Sequence, residues 1–222
     1  MSRYVIKFYK EGVLRYISHL DLLRLFKRSF KREGIRLQYS QGFNPHPKMS
    51  FAQPLSLGYS STGEYIEFET TQPYPPEEIK EKMNRILPEG MGILSCEELP
   101  AAGKTLAAMT NAADYEISIP CPEGGNIDII QLVSAYLSQK AITVLKHQRK
   151  SGKDVEIDMK PMIHDFAGFV DNNYIMLHCR LSAGSTANLS PELVLSSFCS
   201  HSRISYDRTE VNIKRKEIYF DS

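Results

Sequence analysis

The chain has 222 residues, 42% of them hydrophobic and 24% charged, with a formal net charge of +1, a balance that excludes a disordered or fibrous protein. No apolar run approaches the roughly 20 residues of a membrane helix, and the opening MSRYVIKFYKEG carries charges where a secretory signal has its apolar stretch, so a cytoplasmic chain is expected. Cys96, Cys121, Cys179 and Cys199 never form a CxxC pair, which speaks against a zinc knuckle, a redox pair or an iron–sulfur cluster, and no cofactor is expected.

The first predicted element is a strand over 4–9, closed by a turn at Glu11-Gly12. A helix follows. Ser18-His19-Leu20-Asp21 opens it as a capping box, with the acid on the positive end of the helix dipole, and Gly34 closes it as a C-cap. Strands over 50–57 and 65–70, a helix over 77–87 introduced by Pro75-Pro76, and a strand over 91–96 complete a βαββαβ order. The second half repeats the theme, with strands over 115–119, 142–148, 155–159, 174–181 and 211–220 and helices over 127–139 and 191–198. The small-residue stretch over 99–111 carries no strand pattern and reads as a linker. The expected architecture is α+β: two tandem ferredoxin-like domains over 1–100 and 112–222.

The near-neutral total hides an asymmetry. Between Arg3 and Arg36 basic residues far outnumber acids, whereas Glu64, Glu67, Glu69, Glu77, Glu78 and Glu81 face only Lys80, so a basic face and an acidic face are expected. On a helical wheel Leu22, Leu23, Phe26 and Phe30 share one side, and Arg24, Lys27, Arg28, Lys31 and Arg32 form a cationic stripe on the other. Phosphate oxygens are the natural partner for such a stripe, through charge-assisted hydrogen bonds and counterion release. The alternative is a merely solvated face.

The loop QGFNPHPKMS over 41–50 holds the other candidates. Gly42 permits a turn, while Pro45 and Pro47 push Asn44 and His46 toward extended backbone, so His46 stands on a stiff segment. Tyr39 and Phe43 offer aromatic faces for a base. A chain returning antiparallel to the basic helix would bring His46 and Lys48 beside Ser18, His19 and Asp21 in one polar pocket. Otherwise the loop is a rigid connector and His19 a packing residue.

RYISHLDLLRLFKRSFKREG, then YSQGFNPHPKMSFAQPLSLGYSSTGEYIEF, then LPEGM, resemble the radical-SAM-linked domain of unknown function, a bacterial family found beside or fused to radical SAM proteins. A weaker second block, KDVEIDMKPMI over 153–163, resembles the same family and marks Asp158 and Lys160 as further candidates, against a plain surface ion pair. Just before it, KHQRKSGK supplies Lys146, Arg149 and Lys150 as a basic turn. The resemblance implies a radical SAM partner and a role in RNA or ribosome maturation, with no established activity. The cluster motif CxxxCxxC is absent, so the chain is expected to be the companion and not the radical enzyme.

Three functional readings follow. The first is an accessory module that binds structured RNA, tRNA or rRNA, through the stripe and the loop. The second is a metal-independent endoribonuclease in which His19 and His46 act as base and acid while Lys48 stabilises the phosphorane. The third is a protein-interaction scaffold docking its partner on the acidic face. No metal is assigned, although His19, Asp21 and His46 would make a conceivable site.

Overall fold

The computed structural model describes residues 2–121, 127–148 and 153–221. In chain order its elements are β1 (Ser2–Lys10), α1 (His19–Arg32), β2 (Met49–Phe51), β3 (Ser60–Thr70), α2 (Pro76–Ile86), β4 (Met91–Leu99), α3 (Leu106–Met109) and β5 (Thr110–Pro120). There follow α4 (Ile129–Ser138), β6 (Thr143–Gln148), β7 (Lys153–Asp158), β8 (Ile163–Asp171), β9 (Tyr174–Ser182), α5 (Pro191–Ser202) and β10 (Asn212–Phe220). The fold is mixed α+β, and the chain divides into two compact units: Met1–Asn111 with Arg215–Ser222, and Ala112–Lys214.

In the first unit β1 alternates strictly, burying Tyr4, Ile6 and Phe8 on one face. It pairs antiparallel with β3 on one side and β4 on the other, while the short β2 adds to β3 with Met49 opposite Phe68 and Phe51 opposite Ile66. The order β4-β1-β3-β2 results, and the part of β10 that belongs to this unit also lies along β3. Leu22, Phe26 and Phe30 of α1 and Ile79 and Met83 of α2 pack on the apolar face, as the helical spacing predicts. The aromatic rings interlock, with centroids 5.0 Å apart for Phe8 and Phe26 and 4.5 Å for Phe30 and Phe68.

The predicted acidic face is not there. Glu64 is 3% exposed and accepts two hydrogen bonds from Arg215, itself 1% exposed, at 2.7 and 2.5 Å. Glu67 is buried as well, bonded to Arg3 at 2.5 Å, the Ser50 hydroxyl at 3.1 Å and the Leu106 amide at 3.2 Å. On α2 Glu77 pairs with Lys80 and Glu78 with Lys82 along their own helix, while Glu81 is exposed. Charges close in sequence are divided between an interior and the surface of α2, so the six acids do not form one face.

In the second unit β5, β9 and β8 form an antiparallel ladder in that order, and Tyr136 and Phe198 of α4 and α5 meet Phe166 of β8 in the core. The expected strands over 142–148 and 155–159 exist as β6 and β7, but they pair only with each other as a separate two-stranded sheet. The sheet strand is β8, which the sequence pattern does not announce. Gly168 interrupts its alternation, and the glycine is there for packing: a Cβ at that position would stand 3.0 Å from both Ile129 of α4 and Leu177 of β9.

Candidate nucleic-acid interface

Both ends of α1 are built by local chemistry. At its start the Ser18 hydroxyl accepts the Asp21 amide at 3.1 Å and donates to the Asp21 carboxylate at 2.7 Å, a variant of the capping box. The Ser18 hydroxyl and then the Arg24 guanidinium, 2.8 Å away, hold the Asp21 carboxyl below its usual range. At its end Gly34, with φ of +74°, donates to Lys31 O, and Ile35 donates to Phe30 O. Together these bonds make a Schellman motif whose apolar contact is Ile35 on Phe30.

That turn aims the next residues. Ile35 and Leu37 enter the core, leaving Arg36 outside, and the segment is pinned from below by Tyr74. The Tyr74 hydroxyl accepts the Arg36 amide at 3.0 Å and donates to Gly34 O at 3.2 Å, while Tyr4 and Tyr74 bond each other through hydroxyl and backbone. Between this segment and α1 lies a cleft of about 470 Å³ lined by Lys27, Lys31, Gly34, Ile35, Arg36, Leu37 and Tyr39. The Lys27 ammonium sits 5.7 Å from the centroid of the Tyr39 ring. Arg24, Lys27, Arg28, Lys31, Arg32 and Arg36 are all exposed. Among the described residues only Arg24 of these six has an ion-pair partner, Asp21. Three cations and an aromatic ring therefore converge on one concave surface with no acid to neutralise them, the arrangement that takes a phosphate and a flat ring together.

The loop after Tyr39 is a hairpin. Lys48 donates its amide to Gln38 O at 2.8 Å and Ser40 donates to His46 O at 2.9 Å, with Tyr39 bridged to Pro47. His46 closes the tip: its amide donates to the Ser40 hydroxyl at 3.1 Å, and its Nδ1 lies 3.1 Å from that hydroxyl and 3.4 Å from Asn44 O. Gly42 has φ of +129°, and Phe43 beside it is fully exposed.

The predicted pocket joining this loop to the helix start does not form. His19 packs edge-on against Phe51 at 5.2 Å, and Phe51 is opposite Ile66. Lys48 instead reaches Glu69 at 2.8 Å, three residues or about 10 Å further along β3. The hairpin lies at the Lys27 end of α1 because Gln38 and Tyr39 pair back onto 46–48 before the chain can return along the helix. His19 and His46 are thus no acid–base pair, Lys48 is engaged by a carboxylate, and His19, Asp21 and His46 do not assemble into a metal site. Among the described residues no three His, Cys, Asp or Glu side chains are placed to hold a metal.

In the second unit the Asp158 carboxylate accepts the amides of Ile142 at 2.9 Å and Lys160 at 3.0 Å, and the Lys160 ammonium donates to Gln139 O. Both residues fasten the open end of the β6–β7 hairpin. Lys146 lies on β6 with its backbone opposite Val155, whereas Arg149 and Lys150 lie outside the described residues. The sequence reasoning passed over Arg36 and Tyr74 as parts of a site. The alternation of Ile35 and Leu37 was the available signal for an outward Arg36; Tyr74 gave none.

A family model described as an uncharacterized protein conserved in bacteria (DUF2344) matches residues 3–191. The chain belongs to this family. No curated protein matches this DUF2344 chain. Among solved structures, a chain of a Cbf5–Nop10–Gar1 complex has a TM-score of 0.55 at 10% identity, covering 97% of this chain and 48% of that one. The DUF2344 chain thus spans about half the length of that neighbour, and at such identity the likeness is one of fold alone. An unknown protein from Galdieria sulphuraria (TM-score 0.28, 12% identity, 98% of each chain) and the first two RRM domains of the yeast poly(U) binding protein Pub1 (0.21, 8%, 97% of this chain and 98% of that) fall too low to carry an argument. Among the described residues no helix is long and apolar enough to cross a membrane.

Proposed function

We propose that this DUF2344 chain is an accessory module that binds structured RNA, tRNA or rRNA, and presents it to a radical SAM partner in the cytoplasm, each of its two units being ferredoxin-like. The observation that carries the RNA reading is the cleft beside α1, where Lys27, Lys31 and Arg36, without an ion-pair partner among the described residues, surround Tyr39. An ordinary solvated helix face intersperses acids to balance its cations; here Arg24 to Arg32 has none, and the nearest acid, Glu33, leans toward Arg85 at 3.8 Å. The strand order β4-β1-β3-β2 supports the ferredoxin-like assignment for the first unit. The partner rests on the family resemblance of the sequence blocks around this helix and loop.

Binding of the purified protein to total RNA across a salt series tests the reading. Affinity falling linearly with the logarithm of salt concentration is expected. Absence of binding at low salt, or binding without a salt slope, overturns it.

A further inference from the structure

The cleft has more specificity in it than a cationic surface needs. We infer that it is a subsite for one unpaired nucleotide of a single-stranded RNA segment, with Tyr39 stacking the base and Lys27, Lys31 and Arg36 holding the flanking phosphates. This rests on the RNA-binding reading and narrows it from structured RNA at large to an unstacked base.

A duplex presents a regular ladder of phosphates and keeps its base faces stacked, so a protein that tracks it needs cations on a convex or flat surface and has no use for an aromatic ring. This cleft is concave, about 470 Å³, within the roughly 300 to 1,000 Å³ typical of small-ligand sites. Tyr39 is 39% exposed, so it is open to a base at the surface. The Lys27 ammonium lies over the ring, 5.7 Å from its centroid, so a base would stack on the opposite face with this cation close by for its phosphate. The floor is prebuilt: Tyr74 bonds Gly34 and Arg36, and the Schellman turn satisfies the last carbonyls of α1, so little order has to be gained on binding. The fully exposed Phe43, at the tip of the hairpin that begins at Tyr39, is placed to offer a second stacking face to a neighbouring base.

The test compares a short single-stranded RNA with the same strand annealed to its complement, using wild type, Tyr39→Ala, Tyr39→Phe and Lys27→Gln/Lys31→Gln. Tyr39→Ala is expected to weaken single-strand binding by about tenfold and to leave duplex binding unchanged, since stacking on an aromatic ring is lost only for an accessible base. Tyr39→Phe keeps the ring and is expected to match wild type. The lysine pair is expected to weaken both and to flatten the salt slope. If wild type binds both forms with a salt slope and Tyr39→Ala changes neither, the nucleotide subsite is overturned while the RNA reading stands. If wild type binds neither form, the RNA reading fails and the subsite with it.

Discussion

Arg215 and Arg36 belong to the same unit and have opposite surroundings. Arg215 is enclosed, its guanidinium forked onto Glu64 and onto Gln53 O at 2.9 Å, with Lys10 buried alongside and its ammonium pKa lowered, first by desolvation. Arg36 is anchored only through its backbone, and its side chain faces an open cleft with Lys27 and Lys31. A cation whose charge is matched internally holds the fold together; a cation left unmatched beside others is available to a ligand. The acids between Glu64 and Glu69 are absorbed by Arg215, Arg3 and Lys48, whereas among the described residues Lys27, Arg28, Lys31 and Arg32 of the α1 stripe have no ion-pair partner.

The sharpest way to break this contrast is by substitution at its two poles. Arg215→Ala strips the buried Glu64 carboxylate of its forked hydrogen-bonded partner, leaving only the Lys10 charge nearby, and a loss of about 3 to 5 kcal/mol in denaturant unfolding is expected. Arg36→Ala is expected to stay within about 0.5 kcal/mol of wild type in the same assay. Comparable losses at both positions would erase the distinction. Tyr74→Phe sits between the poles: it removes the acceptor of the Arg36 amide and the donor to Gly34 O. A cost of about 1 to 3 kcal/mol is expected, with weaker RNA binding because the floor of the cleft is loosened. Ser18→Ala, at the far end of α1, is expected to cost about 1 kcal/mol through the lost N-cap and to leave RNA affinity unchanged. Least perturbing is thiol labelling at pH 8. Burial pushes Cys96 and Cys199 up to about 12 and raises Cys179 also. A group so raised stays a thiol at pH 8, so these three are expected to resist alkylation until the chain unfolds, leaving Cys121 to react in the native protein.

What the sequence shows is what local chemistry decides. The helix α1 is legible at both ends because Ser18 and Gly34 act within a few residues of themselves, and its core face is legible because Leu22, Phe26 and Phe30 repeat at the helical period. The Glu64–Arg215 pair spans 151 positions, beyond the reach of any spacing rule, and so an acidic run reads as a face although Glu64 and Glu67 are both interior. The site itself is half legible. Its cations and Tyr39 stand in the sequence as a stripe and an aromatic, but their convergence depends on a Schellman turn and on Tyr74 arriving from 38 positions away. His46, conspicuous between two prolines, braces a hairpin instead of entering a pocket. Strand β8 is hidden because its interior glycine serves tight packing on α4.

The central claim is that the unmatched cations of the first unit are an RNA-binding surface. The most direct measurement is the slope of log affinity against log salt for a tRNA or rRNA fragment, compared between wild type and Lys27→Gln/Lys31→Gln/Arg36→Gln. Each phosphate contact contributes about 0.7 to 0.9 to that slope. A triple variant that folds as wild type, binds more weakly and has a slope shallower by about 2 to 3 is the predicted result. Unchanged affinity and slope in a folded triple variant would contradict the account.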